Sequence, residues 1–432
     1  MENIAKHSAS ENSSPYYSAR ETRSTEERNL ELFSQLRHNL RALMPVTPRL
    51  AEQLNGIELS ELQSREDLAA IPVIRKSTLM QQQHALRGAQ KVSDAVFGGF
   101  APVTWGQVAR VYGSPGPIYE LDSNRTDYWR FAQALYAAGI RSGMLVHNSF
   151  SYHFTPAGNM LESGALALGC SVFPGGIGQT ELQVKTMLDL RPDAYTGTPS
   201  FLKIILEKAE ELGEKIDSLK HAVFTGEAFT PTMQQWFEER GVEGYQCYGT
   251  ADLGLIAYET SAREGLVVGE DIILEIVRPG TNDPVAEGEV GEIVVTTLNP
   301  DYPLLRFGTG DMSMILNEPS SCGRSNMRIK GWMGRADQSI KVRGMFVHPE
   351  QVAEMSKRLD GVVKARMVAS GKVGSDHLVL QMERAEAADG AWIANAESIA
   401  REVVKLRTAI EVVPIDSLPN DGLVIQDSRD YE

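Results

Sequence analysis

From Glu26 onward the apolar residues Leu30, Leu32, Phe33, Leu36 and Leu40 recur at helical spacing, which predicts an amphipathic helix. Residues 1–25 are rich in Ser, Glu and Arg with few large apolar groups. Such a stretch buries too little apolar surface to offset its ordering entropy, so a loose arm is expected there. Leu59–Leu79 carries the signals of a second, more polar helical segment. Beyond residue 125 two periods alternate. Asp127–Ala138 has helical spacing and stops at Gly139, and Met144–Phe150 reads as a strand. Thr180-Glu-Leu-Gln183 fits a capping box, opening a helix that ends before Arg191-Pro192. Thr198-Pro199 supplies an N-cap and a first-turn proline to a helix with Phe201, Leu202, Ile205, Ala209 and Leu212 on one side, closing at Gly213. Ala222–Phe224 is a short buried strand. Alternation of this kind predicts α/β layers.

The pattern changes after residue 255. Ile272–Val277 and Gly291–Thr297 are β-rich and separated by Asn, Pro and Gly turns, predicting a more antiparallel module. A second change comes near Gly334. Strands are expected at Ser339–Arg343, Val362–Ala369, His377–Glu383 and Glu411–Ile415, and helices at Pro349–Leu359 and Ala394–Ala409. That β-α-β-β-α-β order suits a small separate domain. The expected division is an arm over 1–25, a large domain over 26–335 and a small one over 336–432.

Composition narrows the function classes. Hydrophobic residues at 42% and charged residues at 23% are ordinary for a soluble globular protein. The net charge of −15 disfavours nonspecific binding to nucleic acid or to an anionic membrane, though not a small anion held locally. Cys170, Cys247 and Cys322 are scattered and odd in number, which fits a reducing compartment. The charge-free stretch Ser142–Leu161 contains His147, Asn148, Pro156 and Asn159, so it is no membrane span, and the start Met-Glu-Asn has no basic-then-apolar signal. A cytoplasmic location is expected, and a homodimer is compatible with it.

Four segments could carry chemistry. Tyr112-Gly113-Ser114-Pro115-Gly116-Pro117 follows a β-like run; its glycines would let backbone amides approach a phosphate, or it is a plain Pro/Gly turn. Thr225-Gly226-Glu227 follows a buried strand, and Tyr248-Gly249-Thr250-Ala251-Asp252 comes some twenty residues later. The hydroxyl and carboxylate of the latter suit Mg²⁺ beside phosphate oxygens, or a capped turn. Arg306-Phe-Gly-Thr-Gly-Asp311 ends in a carboxylate that could accept from a ribose diol, or is a turn Asp. Gly331–Gly344 gathers Arg335, Lys341 and Arg343 at the domain junction, as a cation cluster or a solvated charge run.

Taken together in order, these segments resemble the adenylate-forming superfamily, in its phenylacetate–CoA ligase-like branch. The resemblance runs from Glu26 to the C-terminus. It is carried by GGIGQTELQVKTMLDLRPDAYTGTPSF (175–201), TGEAF (225–229), YGTAD (248–252), the stretch from 291 to 311, CGR (322–324), MGRADQSIKVRGMFVHPEQV (333–352) and LPNDG (418–422). It implies an α/β fold: a large N-terminal adenylation domain, layered with a β-rich submodule, and a small mobile α+β C-terminal domain. It also implies ATP and Mg²⁺, activation of a carboxylic acid as acyl-AMP, and transfer to coenzyme A. By position, Tyr112, Gly113, Ser114 and Gly116 resemble the phosphate loop. Thr225, Gly226 and Glu227 resemble the adenine-contacting strand end, and Tyr248, Gly249 and Thr250 the AMP and phosphate contacts. Asp252 stands where relatives place a metal-binding Glu. Asp311 resembles the ribose clamp, Arg335 the junction arginine and Asp337 the hinge. Phe150, Tyr152, Phe154 and Gly158 are similar to the acyl-pocket segment, and an aromatic lining suits an aryl or arylacetic acid.

Two departures stand out. Pro115 and Pro117 replace a hydroxyl residue and a lysine of the phosphate loop. The family's LP-x-x-x-GK signature ends in a lysine that bridges carboxylate and α-phosphate, whereas Leu418-Pro-Asn-Asp-Gly-Leu423 is one residue shorter and puts Leu423 there. Leu423 is either a replacement introduced to trap a complex or a natural divergence with a weak first half-step assisted by another cation such as Lys341. The alternatives to a CoA ligase are an adenylating enzyme that serves an amine, hydroxyl or carrier-protein thiol, and a non-catalytic nucleotide-binding relative.

Overall fold

The computed structural model describes residues 14–87, 96–114, 118–277, 282–286, 288–336, 338–372, 376–419 and 424–430. The chain divides into two compact units, Met1–Gly334 and Arg335–Glu432.

The first unit is built on a nine-stranded sheet among the described residues. One half is parallel, in the order 171–174, 145–148, 194–197, 221–224, 243–250. The other half continues antiparallel through 254–258, 266–268, 328–329 and 315–316. Helices Ala157–Ala167, Thr180–Leu190, Pro199–Glu211 and Pro231–Glu238 make the parallel crossovers, as parallel pairing requires. The helix from Pro199 forms as its sequence predicts: Thr198 Oγ1 accepts from Phe201 N at 3.3 Å, and Leu202, Ile205 and Ala209 are buried. Leu212 is instead half exposed, because it lies past the last buried turn. Thr180 opens no capping box: Gln179 is the cap residue, in the left-handed region, without a side-chain cap bond. The helix expected over Asp127–Ala138 is shortened to Ala132–Ala137. Asp127 and Arg130 both take positive φ, which breaks the helix before it starts.

A four-stranded sheet of order 74–75, 307–313, 291–297, 272–277 forms the β-rich module. Helix Thr25–Leu43 closes over a separate core by burying Leu32, Phe33, Leu36, Leu40 and Leu43 against Ile273 and Leu305. Leu30 points outward. The segment Leu59–Leu79 breaks into short turns, with a longer helix, Lys76–Leu86, at its end. From Ser14 the stretch expected to be a loose arm carries structure. Ala19–Thr22 is a 3₁₀ turn, and Glu21 is buried and paired with Arg324 at 2.7 Å. Its attachment comes from polar pairs, which a hydrophobicity pattern does not register.

The second unit holds a hairpin, 340–342 with 345–347, and a four-stranded sheet of order 408–413, 377–384, 362–372, 425–430. Helices Pro349–Arg358 and Gly390–Val404 cover that sheet. The strand 425–430, parallel to 362–372, was not expected from sequence. Its IQDSRD carries one large apolar residue, and pairing rather than burial sustains it. The strand expected at Glu411–Ile415 begins earlier, at Thr408, and truncates the preceding helix.

Among the described residues no helix is long and apolar enough to cross a membrane.

Candidate active site

Strand 145–148 lies between 171–174 and 194–197, so the chain passes to one side of it and then crosses back to the other. A crevice opens outside the carboxyl ends of parallel strands at such a switch point. Here it is bounded by residues 148–158, 174–179 and 196–198. Ser149 N donates to Thr196 O at 2.8 Å across it. Tyr152, His153, Pro174, Gly175, Gly176, Ile177 and Gln179 wall a cavity of about 390 Å³.

The walls are held from beneath by a buried polar network. Asn148 Nδ2 donates to Tyr152 Oη and to Gly158 O, each at 2.7 Å. Gln183 Nε2 donates to the carbonyls of Gly175, Gly176 and Gly178 at 2.9–3.2 Å. His147 Nε2 meets Gln183 Oε1, and burial lowers the His147 pKa so that the ring stays neutral. Gly158 must lack a side chain, because a Cβ would sit 2.7 Å from Ser151 O and 3.0 Å from the Tyr152 ring.

Of the four expected pocket residues, Tyr152 reaches this cavity. Gly158 supports it from behind. Phe150 is instead a core residue, buried among Trp129, Leu161 and their neighbours. Phe154 takes a positive φ and its ring is 85% exposed. It is the Phe154 carbonyl that faces inward, accepting from Gly113 N at 2.8 Å. The acyl segment is thereby tied to the phosphate-loop strand.

That strand, Val108–Ser114, pairs antiparallel with Ile118–Ser123. Tyr112 is buried, and Ser114 Oγ donates to Glu120 Oε1 at 2.7 Å. Gly116, together with Pro115 and Pro117, lies outside the described residues, as do Asp337 and Leu423.

Two groups gather around the end of strand 243–250. Tyr248 Oη donates to Asp311 Oδ2 at 2.7 Å, and Trp332 Nε1 donates to Asp311 Oδ1 at 3.1 Å. The expected AMP contact and the expected ribose clamp are thus brought together, 63 positions apart in sequence. Gly249 cannot carry a side chain: its Cβ would fall 2.6 Å from Gly254 O. Thr250 Oγ1 accepts from Leu253 N at 3.2 Å and shapes the turn that presents Asp252. Asp252 Oδ2 accepts from Lys76 Nζ at 3.1 Å, while its Oδ1 is buried without a hydrogen-bond partner among the described residues. Glu120 is in hydrogen-bonding reach of Asp252, and burial, with the charge of Asp252, pushes its pKa up to about 8. Lys76 and Glu120 had no sequence signal, since nothing in their local pattern announces a contact over such separations, and Trp332 lies in the Gly331–Gly344 segment without being picked out there.

Gly308-Thr-Gly-Asp311, expected as a turn, is instead part of strand 307–313 and rests on buried carboxylates. Glu292 Oε1 accepts from Gly310 N at 3.2 Å, and Glu292 Oε2 accepts from Arg75 Nη2 at 2.8 Å. Arg306, fully buried, donates to both oxygens of Glu275 at 2.9–3.0 Å and to the carbonyls of Ile71 and Asn282. Its charge is therefore internal to the fold. Thr225 and Gly226 end strand 221–224, Gly226 with φ +84°, and Glu227 follows with Oε2 buried.

In the second unit Arg335 and Lys341 share one aromatic face, at 5.1 and 5.9 Å from the Phe346 ring centre. The ends of the signature loop are anchored there too. Lys364 Nζ donates to the Leu418 and Pro419 carbonyls at 3.1 and 2.9 Å, Arg366 donates to Pro419 O at 3.1 Å, and Val424 N donates to Gln338 Oε1 at 3.0 Å.

Comparison with known proteins places this arrangement. Residues 144–299 match the family model described as AMP-binding enzyme. A phenylacetate–coenzyme A ligase of Thermus thermophilus is 32% identical over 359 residues, which cover 79% of this chain and 78% of the relative. One of Aromatoleum evansii is 31% identical over 374 residues, covering 82% and 81%. The crystal structure of 2-hydroxyisobutyryl-CoA ligase in complex with 2-HIB-AMP and CoA matches 96% of this chain and 93% of its own, with a TM-score of 0.82 at 24% identity, a likeness of fold. With relatives above 30% identity across some four-fifths of its length, the chain belongs to the adenylate-forming enzymes, in the phenylacetate–coenzyme A ligase family.

Proposed function

We propose that this protein activates a carboxylic acid, aryl or arylacetic in class, with ATP and then forms its coenzyme A thioester. In the first half-step a carboxylate oxygen bonds to the α-phosphorus and pyrophosphate leaves. In the second the thiol sulfur bonds to the acyl carbon, its proton is lost, and AMP leaves. The observation that carries the reading is the bracket of Tyr248 and Trp332 on Asp311 at the open end of the parallel strands. An oriented carboxylate of this kind can accept from the diol of a nucleotide ribose. The cavity of about 390 Å³ suits a small acid, and Tyr152, Pro174 and Ile177 give it an apolar, partly aromatic wall.

In this reading Asp311 accepts from the ribose, and Tyr248 and Trp332 fix its rotamer. Gly113, Ser114 and the Thr225–Glu227 strand end flank the phosphates and adenine. Asp252 would hold Mg²⁺; its buried, unpartnered Oδ1 fits a hard cation, which when bound would offset phosphate charge. Arg335 and Lys341 supply cations from the second unit, and Asp337 is the pivot on which that unit turns between half-steps. With Leu423 in the lysine place, the first half-step is the slow one.

The test is carboxylate-dependent pyrophosphate release across a panel of aryl, arylacetic and short aliphatic acids, followed by CoA-dependent AMP release. Adenylate formation with no CoA-dependent step, but with release by an amine or carrier thiol, would establish the alternative acceptor. No pyrophosphate release with any acid, from this chain and from Leu423→Lys, would leave a nucleotide-binding protein.

A further inference from the structure

We propose that Glu120 is a second carboxylate ligand for the divalent cation assigned to Asp252, the two side chains together making one built cation site at the foot of the phosphate loop. The inference rests on the reading of Asp252 given above and adds a residue that the family resemblance does not supply.

The geometry is that of two half-satisfied carboxylates. Glu120 is fully buried and Asp252 is 6% exposed. Each has one oxygen held by a protein donor: Ser114 Oγ donates to Glu120 Oε1 at 2.7 Å, and Lys76 Nζ donates to Asp252 Oδ2 at 3.1 Å. Each has its other oxygen, Glu120 Oε2 and Asp252 Oδ1, buried with no donor among the described residues. The two groups lie in hydrogen-bonding reach of each other. Without a cation between them the pair sheds a charge by protonation, because one ammonium does not offset two like charges away from water. Donors that fix one oxygen of each ligand and aim the other resemble the outer partners that orient metal-binding carboxylates. A hard divalent ion of the Mg²⁺ type is commonly held by one or two carboxylates beside substrate phosphates.

The supporting residues come from separate elements. Ser114 and Glu120 sit on the two strands of one hairpin, Asp252 on the turn after strand 243–250, and Lys76 at the start of helix Lys76–Leu86. The competing account is a structural pair that shares a proton and binds no metal.

Mn²⁺ serves as the probe, titrated without nucleotide into the full chain, with free ion read by electron paramagnetic resonance. The parent chain is expected to bind one Mn²⁺ that Mg²⁺ displaces. Glu120→Gln, which keeps the shape and removes one of two apposed charges, is expected to weaken that binding about tenfold or more, and Asp252→Asn likewise. Thermal unfolding of each variant checks the fold, and Mn²⁺ is expected to raise the melting temperature of the parent more than that of Glu120→Gln. Unchanged Mn²⁺ affinity in Glu120→Gln, with loss in Asp252→Asn, overturns the role of Glu120 and leaves Asp252 in place. No binding by the parent, or no loss in either variant, overturns the site altogether. A parent that binds Mn²⁺ through both residues yet releases no pyrophosphate from ATP keeps the site and removes the proposed function.

Discussion

Replacing Asp311 with alanine separates a ligand contact from a structural one. In the protein the carboxylate accepts from Tyr248 Oη at 2.7 Å and from Trp332 Nε1 at 3.1 Å, one donor on each oxygen. A carboxylate offers about four lone-pair sites, and these two donors orient the group. A vicinal diol would add hydrogen bonds to a charged acceptor, with a net value of about 1.5–3 kcal/mol, or roughly a factor of ten to a hundred in affinity. Alanine also strands the two donors, but Trp332 is half exposed and Tyr248 partly so, so water replaces their partner and the structural cost is small. The assay is calorimetric titration of AMP and of 2′,3′-dideoxy-AMP into both chains. AMP should lose the full factor on going to Asp311→Ala, and the dideoxy nucleotide should lose little. The resulting coupling energy isolates the diol contact. Equal AMP affinity in both chains, or an equal loss for both nucleotides, would refute the ribose assignment.

Further outcomes follow from the same geometry. Glu275→Leu removes the carboxylate facing the fully buried Arg306 and should destabilise the large unit by about 3–5 kcal/mol in urea unfolding, the usual effect of uncompensating a buried charge; a loss below about 1 kcal/mol would show that Arg306 finds water. Asp127 is a carboxyl whose pKa burial raises to about 7. It binds more protons folded than unfolded between about pH 4 and 7, so its contribution falls as pH rises through that window, by at most about 1.4 kcal/mol per unit. Asp127→Asn should flatten that slope in denaturant midpoints, and an unchanged slope would mean that the carboxyl is solvated. Leu423→Lys should raise acyl-AMP formation about 10²–10³-fold, the value of one preorganised donor, while thioester formation from preformed acyl-AMP changes little. A parent chain that already adenylates at about 1–10³ s⁻¹ would show that another cation serves.

What the sequence discloses and what it withholds divide along a physical line. The helix from Pro199 and the strands Ile272–Val277 and Gly291–Thr297 follow from local rules: a cap, a first-turn proline, a run of β-branched residues. Motif order singles out Tyr248, Asp252 and Asp311, because short glycine-bearing motifs are local as well. The residues that complete the site obey no local rule. Lys76 lies 176 positions from Asp252, and Arg75 lies 217 from Glu292. Each sits in a stretch whose pattern announces only the start of a helix. Phe154 shows the opposite failure. Its aromatic character suggested a pocket wall, but a positive φ turns the ring to solvent and the carbonyl to Gly113. Backbone geometry, not side-chain type, decides which atom of a loop residue faces the site. Arg306 makes the same point for charge. It precedes the Gly-Thr-Gly-Asp motif, and four hydrogen bonds to Glu275, Ile71 and Asn282 engage it inside the protein. Arg306 directly precedes the strand that carries Asp311, so the position of Asp311 depends on a buried ion pair beside it. That dependence separates two kinds of variant at this site. Loss of Asp311 should lower nucleotide affinity at constant stability, whereas loss of Glu275 should lower stability first, and affinity only as far as the 307–313 strand shifts.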